Sequence, residues 1–415
     1  MRCDKAFGRS LIYLALIGVL VGLAFVIGGA QGTAAMAPAQ EPTPAGSDQS
    51  AAGPVIPRAY LPVVFRDYGY RSSRLGYCAL SPRIDRYAAV NQLAAGWYVR
   101  FGVENAAPRP LGMDHVQVVR LHQLTTCWPQ RVRDRVACPY ANYPNYDYVI
   151  TSPDSTSRED GLAKISALAS ANPGMLWFVG NEMDRRDWDG GGQDEMLPEL
   201  YARAYHEIYY AIKTADPTAQ VGIGGMVQTT GLRLEYLNKI WGRYSQLYST
   251  HIPVDVWNVH NFIFREYWDE YGADIPPGSS ASIGAMYRDD QHNDMGIFMS
   301  QIRLFRQWMK DHQQQDKPLI VSEYGLVYRH AGMEKLSLVQ SFMTQTFDYF
   351  MNTKDCDLGY RADQCRLVQR WAWYSLDDND TNFNKYAYLI DPNTGALTAT
   401  GQTFAEYARR YLDVR

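Results

Sequence analysis

No basic excess marks this 415-residue chain: 40 lysines and arginines stand against 44 aspartates and glutamates, a net charge of −4. Without a lysine or arginine run, it has no electrostatic footprint for nucleic acid. No segment recurs at a fixed period, so a solenoid or propeller is excluded. The acidic stretches Asp377-Asp378-Asn379-Asp380 and 187–194 lack the spaced ligands of an EF-hand loop, and no metal or cofactor is expected. Residues 31–57 hold almost no large apolar side chain, only Ala, Pro, Gln, Gly and Ser for the most part. Such a stretch cannot bury a core and reads as a flexible linker.

Cysteine is scarce, at six residues. Arg2, Lys5 and Arg9 precede an apolar run over 11–29, which small residues follow, so 1–30 reads as a signal peptide or an uncleaved membrane anchor. Either puts the remainder outside the cytoplasm, secreted or at the cell surface. In that setting the close pairs Cys127 with Cys138 and Cys356 with Cys365 are expected as local disulfides. Of the five cysteines that follow residue 30, Cys78 is left over, a buried thiol within an apparent strand.

Aromatic residues are plentiful, with 30 tyrosines and 10 tryptophans. They fill cores, and their faces also suit the C–H faces of sugars. From 58 to 415, apolar runs of strand length alternate with amphipathic helical patterns. Runs at 75–79, 97–101, 116–122, 175–181, 220–226, 254–261, 318–324 and 367–375 make eight strands. Helices are expected over 84–93, 159–171, 197–214, 232–247, 295–314, 336–351 and 404–411, with no crossover helix between the second and third strands. One continuous β/α order of this kind is a (β/α)8 TIM barrel, expected as a monomer.

Two of those strands end alike. Met175-Leu176-Trp177-Phe178-Val179-Gly180-Asn181-Glu182 and Pro318-Leu319-Ile320-Val321-Ser322-Glu323 each bring a glutamate to the C-terminal tip of a buried run. Paired there, one carboxyl can protonate a leaving oxygen while the other attacks an anomeric carbon. The plain alternative is two strand-end charges facing solvent.

Gly180-Asn181-Glu182 on strand four, with Ser322-Glu323-Tyr324-Gly325 on strand seven, resembles clan A of the glycoside hydrolases. The run Trp371-Ala372-Trp373-Tyr374-Ser375-Leu376, with Tyr388-Leu389-Ile390-Asp391 and 398–402, is similar to the Asl1-like endo-β-1,3-glucanases in that clan. The resemblance implies Glu182 as acid/base, Glu323 as nucleophile and Asn181 as a ligand of the sugar 2-hydroxyl. Where many clan members carry the tyrosine of a His-x-Tyr motif on strand six, this chain has Phe262 after His260. Tyr324 or another group then supplies the bond to the nucleophile, or none does.

Other candidates carry two readings each. His260 is a cleft residue or a core histidine. Arg100 and Arg120, on strands two and three, point into the barrel with Glu323 as partner or outward between helices. Trp371 and Trp373 share one face of strand eight, either a floor under the sugar or core packing. The expected function is retaining hydrolysis of O-glycosidic bonds in a polysaccharide or oligosaccharide, β-glucan-like in kind. The alternative is a carbohydrate-binding barrel without turnover, displayed on the cell surface.

Overall fold

The computed structural model describes residues 71–130, 134–142, 145–187, 192–328 and 332–412. The expected signal or anchor and the linker lie outside them. Among the described residues no helix is long and apolar enough to cross a membrane; the apolar run 11–29 is not among them.

Eight strands run parallel: β1 Ser72–Ala79, β2 Ala95–Arg100, β3 Asp114–Gln123, β5 Leu176–Asn181, β6 Gln220–Gly225, β7 Trp257–His260, β8 Leu319–Tyr324 and β9 Arg370–Tyr374. They pair in the order β6-β5-β3-β2-β1-β9-β8-β7. Bridges from Gly222 to Val256 and from Met226 to Val259 join the two ends, which closes a TIM barrel. The ninth strand, β4 Tyr148–Ser152, pairs antiparallel with β3 inside what the sequence suggests is only a long loop. Its five residues, YVITS, are β-formers in a run too short to stand out.

Helices α1 Arg158–Ala171, α2 Pro198–Ala215, α3 Gly231–Tyr248, α4 Met295–Asp311, α5 Leu336–Asn352 and α6 Ala399–Arg410 surround the barrel. In α4 the Asp294 side chain accepts from the Ile297 amide, and Phe298, Ile302, Phe305 and Met309 form the buried stripe. The expected helix over 84–93 is instead two 3-10 turns, Ile84–Arg86 and Ala88–Leu93. Each is too short to close a run of α-helical hydrogen bonds. No α-helix links β2 to β3, as expected; a single 3-10 turn stands there.

Alternation along the strands divides two apolar layers. Cys78, Trp97, Val116, Phe178, Ile320 and Ala372 pack together in the lumen. Trp97 fits because a Cβ on Gly76 would lie 2.6 Å from its ring, so glycine on β1 makes room for the indole of β2. Trp371 and Trp373 belong to the outer layer. Trp371 sits 5.3 Å from the Phe350 ring, and Trp373 donates its Nε1 hydrogen to the Ala387 carbonyl at 2.7 Å. The floor-under-the-sugar reading of both tryptophans is therefore corrected. Their shared face is the helix-facing one, and the narrow lumen takes Ala372.

Both disulfides are present, Cys127–Cys138 and Cys356–Cys365, with Cys78 a buried free thiol.

Trp371→Ala should therefore cost about 3–5 kcal/mol of stability, the usual range for emptying a large core site. Denaturant titration measures it. Unchanged stability with weakened ligand affinity would return Trp371 to the cleft.

Candidate active site

The C-terminal ends of β5, β7 and β8 bring Glu182, His260 and Glu323 together. One ligand atom from each lies within 4.8 Å of the other two. Glu182 follows the last residue of β5 with φ of 48°, in the left-handed region, two residues after Gly180 at 88°. That turn takes the chain out of the strand while its amide still bonds the Gly225 carbonyl at 3.0 Å on β6. Gly225 has a second use. A Cβ there would lie 2.2 Å from the imidazole of His260, so only glycine lets that ring sit between the carboxylates.

Glu182 is well supplied with donors. Arg185 Nη1 reaches its Oε2 at 2.9 Å, Gln193 Nε2 the same oxygen at 3.2 Å, and His260 Nδ1 lies 3.0 Å from its Oε1. Arg185 is held in turn, donating to the Gly272 carbonyl at 2.9 Å and the Tyr328 hydroxyl at 2.7 Å. Glu323 is poorly supplied. Its buried Oε2 has no hydrogen-bond partner, and His260 Nδ1 is 3.5 Å away.

These surroundings split the pair. Burial alone would raise the Glu182 pKa, but the Arg185 charge and the His260 bond outweigh it and bring it down to about 2. Burial raises Glu323, the neighbouring Glu182 charge adds to it against the pull of His260, and the result is about 7. His260 is raised, since Glu323 and Glu182 overcome the burial that would lower it. These surroundings thus favour the shared proton on Glu323 over Glu182. That is the reverse of what the implied roles require at the moment of reaction.

A cavity of about 220 Å³ opens over Glu323, lined by it, Arg185 and Gln193 and by the rings of Phe264, Tyr328 and Tyr374 among others; Glu182 lies behind Arg185 and Gln193, which bond it. Phe262 lines it too, stacked on Phe264 at 4.8 Å. Tyr324 does not. Its hydroxyl meets the Thr346 hydroxyl at 3.2 Å on the helix side, because neighbours along a strand face opposite ways and Glu323 takes the lumen. The suggestion that Tyr324 bonds the nucleophile is corrected.

Neither arginine pairs with Glu323. Arg120 Nε lies 3.0 Å from both carboxylate oxygens of Asp194, and Arg100 pairs with Glu104. Asn181 is near the pair but turned to the same loop, donating to the Gly192 carbonyl at 2.9 Å. Sequence reasoning missed Arg185, Gln193 and Tyr374. The one available signal was for Tyr374, which shares a strand face with the small Ala372.

Residues 292–404 match the family model described as "Glycosyl hydrolase catalytic core". That stretch carries β8 with Glu323, and β9. A search of curated proteins finds no match. Similar solved structures include a GH128 (subgroup II) endo-β-1,3-glucanase from Sorangium cellulosum, 17% identical, covering 80% of this chain and 97% of its own, with TM-score 0.43. A GH5_18 protein from Streptomyces cattleya in complex with GlcNAc is 15% identical, with 82% and 81% covered and TM-score 0.44. A psychrophilic family 10 endo-β-1,4-xylanase is 10% identical, with 80% and 96% covered and TM-score 0.40. The family match, on a barrel with glutamates at the ends of its fourth and seventh parallel strands, supports a glycoside hydrolase.

Arg185→Met should raise the lower titration step of the pair from about 2, because the cation that holds Glu182 ionised is gone. Glu182→Gln should lower the Glu323 step from about 7, because a like charge has been removed. Carbon-13 NMR of labelled glutamate carboxyls reads both. Steps unmoved in both variants would refute this charge balance.

Proposed function

We propose that this chain is a retaining glycoside hydrolase acting on a β-glucan-like polysaccharide or oligosaccharide. The observation that carries this is the short carboxylate spacing, an oxygen of each within 4.8 Å, under an aromatic-lined cleft. Retaining pairs stand about 5–5.5 Å apart, inverting pairs about 6.5–9.5 Å with a water between.

In the proposed reaction one glutamate gives its proton to the glycosidic oxygen as the bond from that oxygen to the anomeric carbon breaks. The other carboxylate forms a bond to that carbon from the opposite face. Water, deprotonated by the first glutamate, then displaces the enzyme oxygen and restores both groups. Following the resemblance, Glu182 is the acid/base and Glu323 the nucleophile. Substrate binding must then move the proton from Glu323 to Glu182. His260, 3.0 Å from one and 3.5 Å from the other, is the group placed to relay it. Either way one proton is shared, so kcat/KM should follow a bell between the two macroscopic steps of the pair.

The buried Arg185–Glu182 ion pair favours one competing reading, a sugar-binding barrel without turnover, since it opposes protonation of the acid. Two disulfides suit an oxidising compartment and support the proposal that the barrel works outside the cytoplasm.

Azide rescue of an activated aryl glycoside reaction separates these possibilities. Glu182→Ala should form the glycosyl azide with retained configuration, because its nucleophile is intact. Glu323→Ala should form only the inverted azide. The opposite pattern would exchange the two roles, in line with the resting charges. No turnover by the parent on aryl glycosides or on a panel of β-glucans, xylans and mannans would leave the binding protein.

A further inference from the structure

A second cavity, about 210 Å³, lies beside the first on the same end of the barrel. Its walls come from three loops. Gln123 ends β3, and Arg135 and Tyr140 follow in the loop stapled by Cys127–Cys138. Glu195 comes after β5, and Trp268 and Pro277 after β7. Two of these loops also line the catalytic cleft. Gln193 faces the cleft and Glu195 the second cavity; Tyr271 faces the cleft and Trp268 the second cavity.

The chemistry of the walls is specific. Glu195 is fully engaged: Arg135 Nε binds its Oε1 at 2.6 Å, the Asp187 amide donates to its Oε2 at 2.9 Å, and the Tyr140 hydroxyl bonds it too. The ion pair is therefore closed, and the cavity does not call for a charged ligand. Gln123 is different. It is 2% exposed, its Oε1 accepts from the Leu197 amide at 2.8 Å, and its Nε2 has no partner. A buried amide donor left without an acceptor costs about 1–3 kcal/mol. At the rim Trp268 is 44% exposed, with the Arg135 guanidinium 5.3 Å from its ring centre holding it in place.

We propose that this cavity is a distal subsite that binds one uncharged sugar unit of the glucan chain lying in the cleft. The Trp268 face and the proline beside it take the C–H face of the pyranose, and Gln123 Nε2 donates to one of its oxygens. This rests on the glycosidase reading and deepens it. A barrel that binds sugar at both places acts on an extended chain rather than on a single terminal residue.

The test separates binding from turnover. Glu323→Gln, run in a native gel cast with soluble β-1,3-glucan, should be retarded. Adding Trp268→Ala should weaken the retardation about tenfold, the loss of one stacked ring. Trp268→Phe, which keeps a ring, should restore most of it. In the active enzyme Trp268→Ala should raise KM on the glucan and leave kcat near the parent value. No retardation of Glu323→Gln, or retardation unaffected by Trp268→Ala, overturns the subsite. So does a fall in kcat with KM unchanged, which marks damage to the fold. Retardation that depends on Trp268, in a parent that cleaves neither the glucan nor 4-nitrophenyl β-glucoside, keeps the subsite and removes the hydrolase reading.

Discussion

Two carboxylates held out of water within 4.8 Å of each other cannot both be anions at little cost, and much around the site answers that constraint. Arg185 stabilises one charge, and a carbonyl and a tyrosine hydroxyl hold Arg185 in position. His260 occupies the space between the glutamates because Gly225 leaves it open. A side chain at Gly225 would displace the ring and take away the imidazole that stands between the two carboxyls. The charge balance of the pair is thus set by Arg185 and His260 as much as by the two carboxyls themselves.

A second buried ionic cluster anchors the loops above. Arg233 on α3, fully buried, meets Asp184 at 3.2 Å and Glu266 at 3.0 Å. Asp184 lies between Glu182 and Arg185 in sequence, and Glu266 begins the turn that carries Trp268 and Tyr271. One guanidinium therefore ties Asp184, two residues beyond Glu182, to the loop that walls both cavities. Removing Arg233 would leave two carboxylates buried without their cation, a loss of the order of 3–5 kcal/mol.

The barrel was legible in the sequence because its strands are buried on both faces and read as continuous apolar runs between helical patterns. The glutamates were legible for the same reason, as charges ending such runs. Strand parity was only half legible. Trp371 and Trp373 announce a common face, but nothing local says whether that face meets lumen or helices; α5, with Phe347 and Phe350, decides it. For Tyr324 the parity with Glu323 did suffice to place it outside the lumen. The partners of Arg120 and Arg100 depend on how loops fold back. Asp194 is 74 residues from Arg120, a meeting no spacing rule foresees.

The disulfides sit at separations of 11 and 9 residues, while Cys78 is 49 residues from the nearest of the four in sequence. In an unfolded chain the chance that two thiols meet falls with the length of the loop between them. Oxidation therefore favours both native pairs before any tertiary structure exists, and wrong pairings with Cys78 are the slow ones. When β1 then joins the barrel, Cys78 is sealed in the lumen with burial raising its pKa, a poor nucleophile for exchange. The free thiol of β1 is thus kept out of exchange by the order in which bonds can form.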